Sequence, residues 1–113
     1  MRSDGALLLD MLLSAREAAA FAEGLAFPEF EGDRKTQLAI LKAVETVGEA
    51  ASRMQSDTTA AHPEIPWRQI VGMRNRLVHG YFDINLRRLW ETVQRDIPRL
   101  ILQLEVIVPP ENR

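Results

Sequence analysis

The sequence predicts an all-α, up-and-down four-helix bundle, and three observations support this. Apolar residues recur every three or four positions over most of the chain, which is the period of a helix. No segment of useful length alternates apolar and polar residues as a half-buried strand would. Turn and capping residues divide the periodic sequence into four segments. With 113 residues and no repeat or low-complexity tract, residues 1–113 are expected to form a single domain.

The first predicted helix starts near the N-terminus. Ser3 or Asp4 can cap it, and it is expected to run to about Gly24. Its apolar stripe is rich in alanine, and such small side chains permit close approach of a neighbouring helix. Residues 27–32, which contain a proline and a glycine, are predicted to form a turn.

Asp33 can cap a second helix that continues to about Gln55. Gly48 lies within the apolar stripe of this helix. Glycine there costs roughly 1 kcal/mol relative to alanine, so it indicates a tight helix contact. Glu45 and Glu49 lie off the stripe; they either face solvent or, in a dimer, pair with an arginine.

Residues 56–66 are polar and contain two prolines, which predicts a loop. Pro66 suits the first turn of a third helix, predicted to end at Gly80 in a left-handed cap. The apolar stripe of this helix is made of Trp67, Ile70, Val71, Leu77 and Val78. Arg74 falls inside that stripe rather than opposite it.

The last long helix is predicted to start at Asp83 and to have a very regular apolar stripe. That stripe consists of Leu86, Leu89, Trp90, Val93, Ile97, Leu100, Ile101 and Leu104. Pro98 is expected to bend this helix, because its ring removes one backbone hydrogen bond. The Pro-Pro pair at 109–110 is predicted to end ordered structure.

Composition excludes several classes of site. The chain has no cysteine, which excludes disulfides, thiolate catalysis and cysteine-ligated zinc. His62 and His79 are the two histidines, and neither has a carboxylate at usual metal spacing, so no metal site and no cofactor are expected. The apolar run at 6–13 contains Asp10, which makes it too short and too charged for a membrane span or signal peptide. A cytoplasmic protein is expected.

Charge is distributed unevenly along the chain. Residues 1–66 have a net charge of −5, whereas residues 67–113 have a net charge of +3. The C-terminal half owes its basic character to Arg68, Arg74, Arg76, Arg87, Arg88, Arg95 and Arg99. These arginines could attract a polyanion, although for any one of them a solvated position on a helix surface is the simpler explanation.

Residues 73–81 read Met-Arg-Asn-Arg-Leu-Val-His-Gly-Tyr and carry the main functional signal. A guanidinium keeps its proton, so Arg74 in an apolar stripe needs a carboxylate, carbonyls, a subunit contact or a phosphate. Asn75 and His79 are four residues apart, on one flank of the predicted helix. A purely structural interpretation stays open from these residues alone: Arg74 in an ion pair, His79 at a helix end and Tyr81 packed in the core.

Arg74, His79 and Tyr81 reproduce the pattern Arg-x4-His-x-Tyr, and the chain resembles HEPN-domain proteins of the HepT-like toxin group. The resemblance extends to Ile-Pro-Trp at 65–67, Gly-Met-Arg-Asn at 72–75 and the segment 83–90, so it is far more specific than the motif alone. It implies a four-helix HEPN bundle that forms a homodimer.

The resemblance also implies a function. The expected protein is the toxin of a type VII-like toxin–antitoxin system, a metal-independent endoribonuclease with a composite cleft at the dimer interface. Arg74 and His79 would be catalytic, and Asn75 and Arg76 would support them or bind RNA. A minimal nucleotidyltransferase antitoxin would silence the toxin by transferring AMP to Tyr81. The alternative is a non-catalytic helical binding module that partners a nucleotidyltransferase.

Overall fold

The computed structural model describes residues 2–80 and 83–112. Within these ranges the chain forms helices, connected by short turns, together with one isolated antiparallel bridge between Val78 and Ile84. The all-α prediction is confirmed, and a HEPN helical bundle fits this architecture. None of the helices in the described ranges has both the length and the apolar character needed to span a bilayer.

The two long N-terminal helices form where the capping residues predict them. Helix α1 spans Asp4–Ala22 and helix α3 spans Arg34–Ser52. The Ser3 side chain caps α1, and the Asp33 carboxylate caps α3 by accepting hydrogen bonds from the amide and the hydroxyl of Thr36, at 3.1 and 2.6 Å. Both bonds favour the ionised carboxylate and lower the pKa of Asp33 below its usual value of 3.8.

The predicted turn at 27–32 is wrong, because a short helix, α2, forms at Phe27–Glu31. The Glu29 carboxylate accepts a hydrogen bond of 2.9 Å from the Ala26 amide, which caps the helix from within. Phe30 is fully buried, with its ring centroid 5.0 Å from that of Trp90. A five-residue helix needs tertiary burial to be stable, and this aromatic contact provides it. The turn prediction considered only local residues and therefore missed the contact.

The predicted loop at 56–66 is also partly wrong, since residues Ser56–Ala61 form helix α4. The Thr58 hydroxyl and the Gln55 amide both donate to the Asp4 carboxylate at the start of α1. Helix α4 is therefore held by polar contacts with a residue more than fifty positions away, which local sequence does not reveal.

The third predicted helix is two short helices, α5 at Trp67–Val71 and α6 at Met73–Leu77. The break falls at Gly72, which has φ −85° and ψ 0°, and glycine is a poor helix former. The helix therefore ends at Leu77 rather than at Gly80. Gly80 does have a positive φ of +134°, which favours glycine, but it does not cap a helix.

The C-terminal helix starts later than predicted and is interrupted. Asn85, rather than Asp83, caps helix α7 by accepting a hydrogen bond of 3.1 Å from the Arg88 amide. Helix α7 (Leu86–Glu91) leads into a π-helical turn (Thr92–Asp96) and then helix α8 (Ile97–Ile107). The π-helical turn ends two residues before Pro98, and the bend predicted at Pro98 stays a prediction. Order does not end at 109–110, because residues 110–112 form a 3₁₀ turn.

The core is formed mainly by α1, α3 and α8. Helix α1 packs along α3 and against α8, and α5 packs on the other side of α3. The Arg16 guanidinium and the Glu105 carboxylate, 2.7 Å apart, link α1 to α8. The largest fully buried side chains are Phe30, Met11, Leu12, Ile40, Ile65, Leu77, Leu89, Ile97 and Leu104. Leu77 is among them, so the candidate motif is anchored directly in the core.

Gly48 allows α3 to approach α5, and enlarging it should destabilise the protein. A Cβ at Gly48 would lie 3.0 Å from the Ile70 carbonyl oxygen, which belongs to the backbone and cannot rotate away. We expect Gly48→Val to lower the free energy of unfolding by roughly 1–3 kcal/mol, measured by urea denaturation. The control is Gly5→Ala, where the nearest atom to the new Cβ is 3.9 Å away. Equal stability of the two variants would contradict this close contact.

Candidate functional site

Backbone contacts hold the residues that directly follow α6. Val78 is extended, with φ −128° and ψ 128°, and forms a bridge with Ile84. The His79 amide donates a hydrogen bond of 2.8 Å to the Asp83 carbonyl. Gly80, the next residue, has a positive φ. The backbone of His79 is therefore held firmly although the residue lies outside any helix.

The start of α7 is also bonded to the end of α6. The Asn85 amide donates to the Leu77 carbonyl at 2.7 Å, and the Asn85 side chain caps α7. The prediction that His79 lies on the same helix as Arg74 is wrong, because the β-branched Val78 adopts an extended conformation. His79 is exposed, and its ring makes no hydrogen bond to any described residue.

Arg74 lies at the surface rather than inside a buried apolar stripe, which corrects the prediction. Its side chain is 59% exposed and its Nε donates to the Glu45 carboxylate on α3, whose side chain is 27% exposed. Val71, expected in the same stripe, is 46% exposed. A carboxylate was one of the partners expected for this guanidinium, and here it comes from the same chain.

This ion pair contributes little to stability. Solvent-exposed pairs of this kind are typically worth ~0–1 kcal/mol, because water and salt screen them. The pair therefore orients the guanidinium but binds it only weakly. A phosphate could replace the carboxylate at a small cost in free energy. Glu45 lies next to the candidate site. Its pairing with Arg74 could not be read from the sequence, because the two residues are 29 positions apart.

A cleft of about 330 Å³ lies beside the ion pair, between α3 and the short helices α5 and α6. Its lining includes Val44, Glu45, Gly48, Glu49, Val71 and Arg74. The absence of a side chain at Gly48 helps to open it. This cleft joins an apolar floor to an exposed cation, which suits either a substrate or a partner surface.

Asn75 and Arg76 occupy the remaining faces of α6. Asn75 is exposed, and the Arg76 guanidinium donates a hydrogen bond of 2.6 Å to the Gln69 carbonyl. Arg76 thus lies on the side of α6 away from Arg74. Within residues 2–80 and 83–112, no hydrogen bond joins Arg74, Asn75 and His79 to one another.

Each site residue except Tyr81 can therefore be placed. Arg74, Asn75 and Arg76 come from α6, and His79 comes from the residues that directly follow it. Tyr81 lies outside the described residues, and its predicted role stays a prediction.

The structure is a helical bundle in which an exposed arginine and an exposed histidine, five residues apart, flank the end of a short helix. The profile of the ribonuclease HepT-like family matches residues 11–107, which is most of the chain. The protein belongs to this ribonuclease HepT-like family.

Curated relatives agree with this assignment. A protein of Thermococcus cleftensis named "Probable ribonuclease HepT" is 45% identical over 80 residues, covering 71% of this chain and 73% of the relative. "Putative RNase MJ1380" of Methanocaldococcus jannaschii is 33% identical over 102 residues, covering 90% of this chain and 94% of the relative. The comparison with solved structures gives no significant match. The resemblance to the HepT-like group and the expectation of a ribonuclease are confirmed.

Proposed function

We propose that this protein is a metal-independent endoribonuclease toxin in which Arg74 and His79 act on RNA. The observation that carries the proposal is the exposure of both side chains at the end of α6. A histidine kept for packing would be buried, whereas His79 is open to solvent on a fixed backbone. Family membership supplies the substrate class, because the relatives are named as ribonucleases.

The two side chains suit the two requirements of RNA cleavage. An imidazole can both accept and donate a proton, so His79 can take a proton from the ribose 2′-hydroxyl or give one to the leaving oxygen. Arg74 can donate to two oxygens of the phosphate as negative charge builds up in the transition state. The phosphate would then replace Glu45 as the partner of Arg74, and Asn75 and Arg76 would hold neighbouring groups of the RNA.

One chain supplies one such histidine, whereas cleavage needs both a base and an acid. We therefore propose a two-fold homodimer in which two copies of the motif face a composite cleft. Two observations favour this arrangement: Arg74 and Val71 are both exposed, and the cleft beside them has an apolar floor. Residues 1–113 would act as one domain within that dimer, in the cytoplasm.

Control by a partner completes the proposal. The toxin would belong to a type VII-like toxin–antitoxin system, with a minimal nucleotidyltransferase that attaches AMP to Tyr81, two residues beyond His79. The added phosphate would place negative charge beside Arg74 and His79, in competition with RNA. The alternative, a non-catalytic binding module for a nucleotidyltransferase, is favoured by the ion pair, which already satisfies Arg74 without RNA.

An RNA-cleavage assay distinguishes the ribonuclease from the binding module, and the same assay with EDTA tests whether cleavage needs a metal. The enzyme should cut a single-stranded RNA and keep its rate in chelator, because the proposed groups are side chains alone. Attack by the 2′-hydroxyl leaves a 2′,3′-cyclic phosphate on the upstream product, which mass spectrometry of the fragments detects. Absence of cleavage by the pure, dimeric protein would favour the binding module, and loss of cleavage in EDTA would overturn the metal-independent mechanism.

A further inference from the structure

A second groove runs along the side of α6 that faces away from Glu45. It consists of two adjoining cavities of about 370 and 230 Å³ between α5, α6 and the C-terminal helices. Both cavities are lined by Gln69, Met73, Arg76 and Asp96, so they lie side by side. We call the two together the arginine groove.

Four arginines line the arginine groove: Arg76, Arg88, Arg95 and Arg99. Arg88, Arg95 and Arg99 are exposed, and among the described residues none of their guanidinium groups has an ion-pair or hydrogen-bond partner. Three carboxylates also line the groove, from Glu64, Glu91 and Asp96. The lining therefore has a small positive excess, and among the described residues the guanidinium groups of Arg88, Arg95 and Arg99 are available to bind a ligand.

The π-helical turn at Thr92–Asp96 shapes one wall of the groove. Thr92, Arg95 and Asp96 from this turn all line it. A π-helical turn is uncommon, and such turns are found frequently at functional sites. The Thr92 hydroxyl donates a hydrogen bond of 2.9 Å to the Arg88 carbonyl, which keeps the wall ordered where the regular pattern of helix bonds changes.

We propose that the arginine groove is a second RNA subsite, which binds the phosphates flanking the one at Arg74; this rests on the proposed ribonuclease function. Arg74 and Arg76 lie on opposite sides of the same five-residue helix, so the two sites are separated by about one helix diameter, ~10 Å. A strand bound at Arg74 can therefore continue past α6 into the groove. Planar guanidinium groups bind phosphate through two oxygens at once.

An acidic protein is the competing occupant, and the lining of the larger cavity argues against it. There the side chains are charged or polar apart from Met73 and Leu77, whereas the smaller cavity also has Pro66, Ile70, Ile97 and Leu100 in its lining. Stable protein interfaces usually rely on buried aromatic or aliphatic anchors, which the larger cavity does not offer. A flexible polyanion requires only spaced cations in an open groove.

The test compares two charge-matched double variants of the full-length protein. Arg88→Gln with Arg95→Gln removes two groove cations, and Arg68→Gln with Lys35→Gln removes two exposed cations elsewhere. The probes are 2′-O-methylated single strands, which lack the attacking hydroxyl, of about 12 and roughly three nucleotides, because single-strand sites commonly span 4–16 nucleotides. Affinities are measured by fluorescence anisotropy over a series of salt concentrations.

The groove variant should bind the longer strand roughly tenfold more weakly than the control variant does. The slope of the logarithm of its affinity against the logarithm of salt concentration should be shallower by about 1.4, because each lost phosphate contact on a single strand removes about 0.7. The shorter strand should lose much less affinity. Equal binding of the longer strand by the two variants would overturn the subsite. Polyglutamate is the probe for an acidic protein. If the groove variant binds polyglutamate more weakly but binds RNA as the control does, the groove is assigned to an acidic protein and the subsite is overturned.

The outcome for the ribonuclease function itself is distinct. If the wild-type protein neither binds the longer strand nor cleaves unmodified RNA, the proposed function fails and the subsite fails with it. If the wild type binds and cleaves RNA but the groove variant matches the control, only the subsite fails.

Discussion

Replacing His79 with alanine should lower the rate of RNA cleavage by roughly 10²- to 10⁴-fold, the usual contribution of a general acid or base. Growth inhibition in cells should disappear with it. The fold should survive, because His79 is held by a backbone hydrogen bond to Asp83 and not by its imidazole. Arg74→Ala should cost roughly 10²- to 10³-fold, since it removes one cation from the transition state.

His62→Ala and Arg68→Ala are the matched controls, because each removes the same type of side chain from an exposed or half-exposed position outside the site. Circular dichroism should give the same helix content for all four variants, and sedimentation should give the same dimer. Full activity in His79→Ala would contradict the proposed mechanism. A wild-type protein that stays monomeric at micromolar concentration would contradict the proposal of a composite cleft.

Tyr81→Phe should abolish silencing by the nucleotidyltransferase while RNA cleavage continues. The substitution keeps the aromatic ring and removes the hydroxyl that would accept AMP. Tyr81 is the chain's one tyrosine, so a tyrosine adduct can be assigned without mapping. Intact-mass spectrometry after incubation with the partner and ATP should show AMP adducts on the wild type and none on the variant.

Modification should also reduce RNA binding, because each AMP brings a negative charge next to the groups that receive the RNA phosphate. Adducts on both proteins would place the acceptor on a serine, threonine or other group, and adducts on neither would remove the proposed control. A Tyr81→Phe protein that folds but cannot cleave RNA would instead give Tyr81 a direct part in the reaction.

The long helices could be predicted from the sequence because their determinants are local. Ser3 and Asp33 cap α1 and α3 at the predicted positions, and the apolar stripes continue without interruption. The short helices α2 and α4 depend on distant partners: Phe30 packs against Trp90, and Thr58 bonds to Asp4. No local pattern reports such contacts, and both segments were predicted to be irregular.

The candidate site residues stay a prediction, and the geometry expected for them was wrong in part. A helical wheel assumes an unbroken helix, yet the helix breaks at Gly72 and ends before Val78. Both departures move Arg74 and His79 out of the arrangement that the wheel predicts. The in-chain partner of Arg74, Glu45, was considered only as a contact across a dimer. Pairing between α3 and α6 follows from the packing of the bundle, which spacing in the sequence does not encode.

After α6, main-chain hydrogen bonds join His79 to Asp83 and Asn85 to Leu77. These bonds therefore make no demand on the side chain at position 79. A lineage could exchange the imidazole for another group and keep the same bundle, stability and surface. Loss of catalysis would then be a short evolutionary step, and inactive descendants that retain only their binding partners are to be expected among chains of this design.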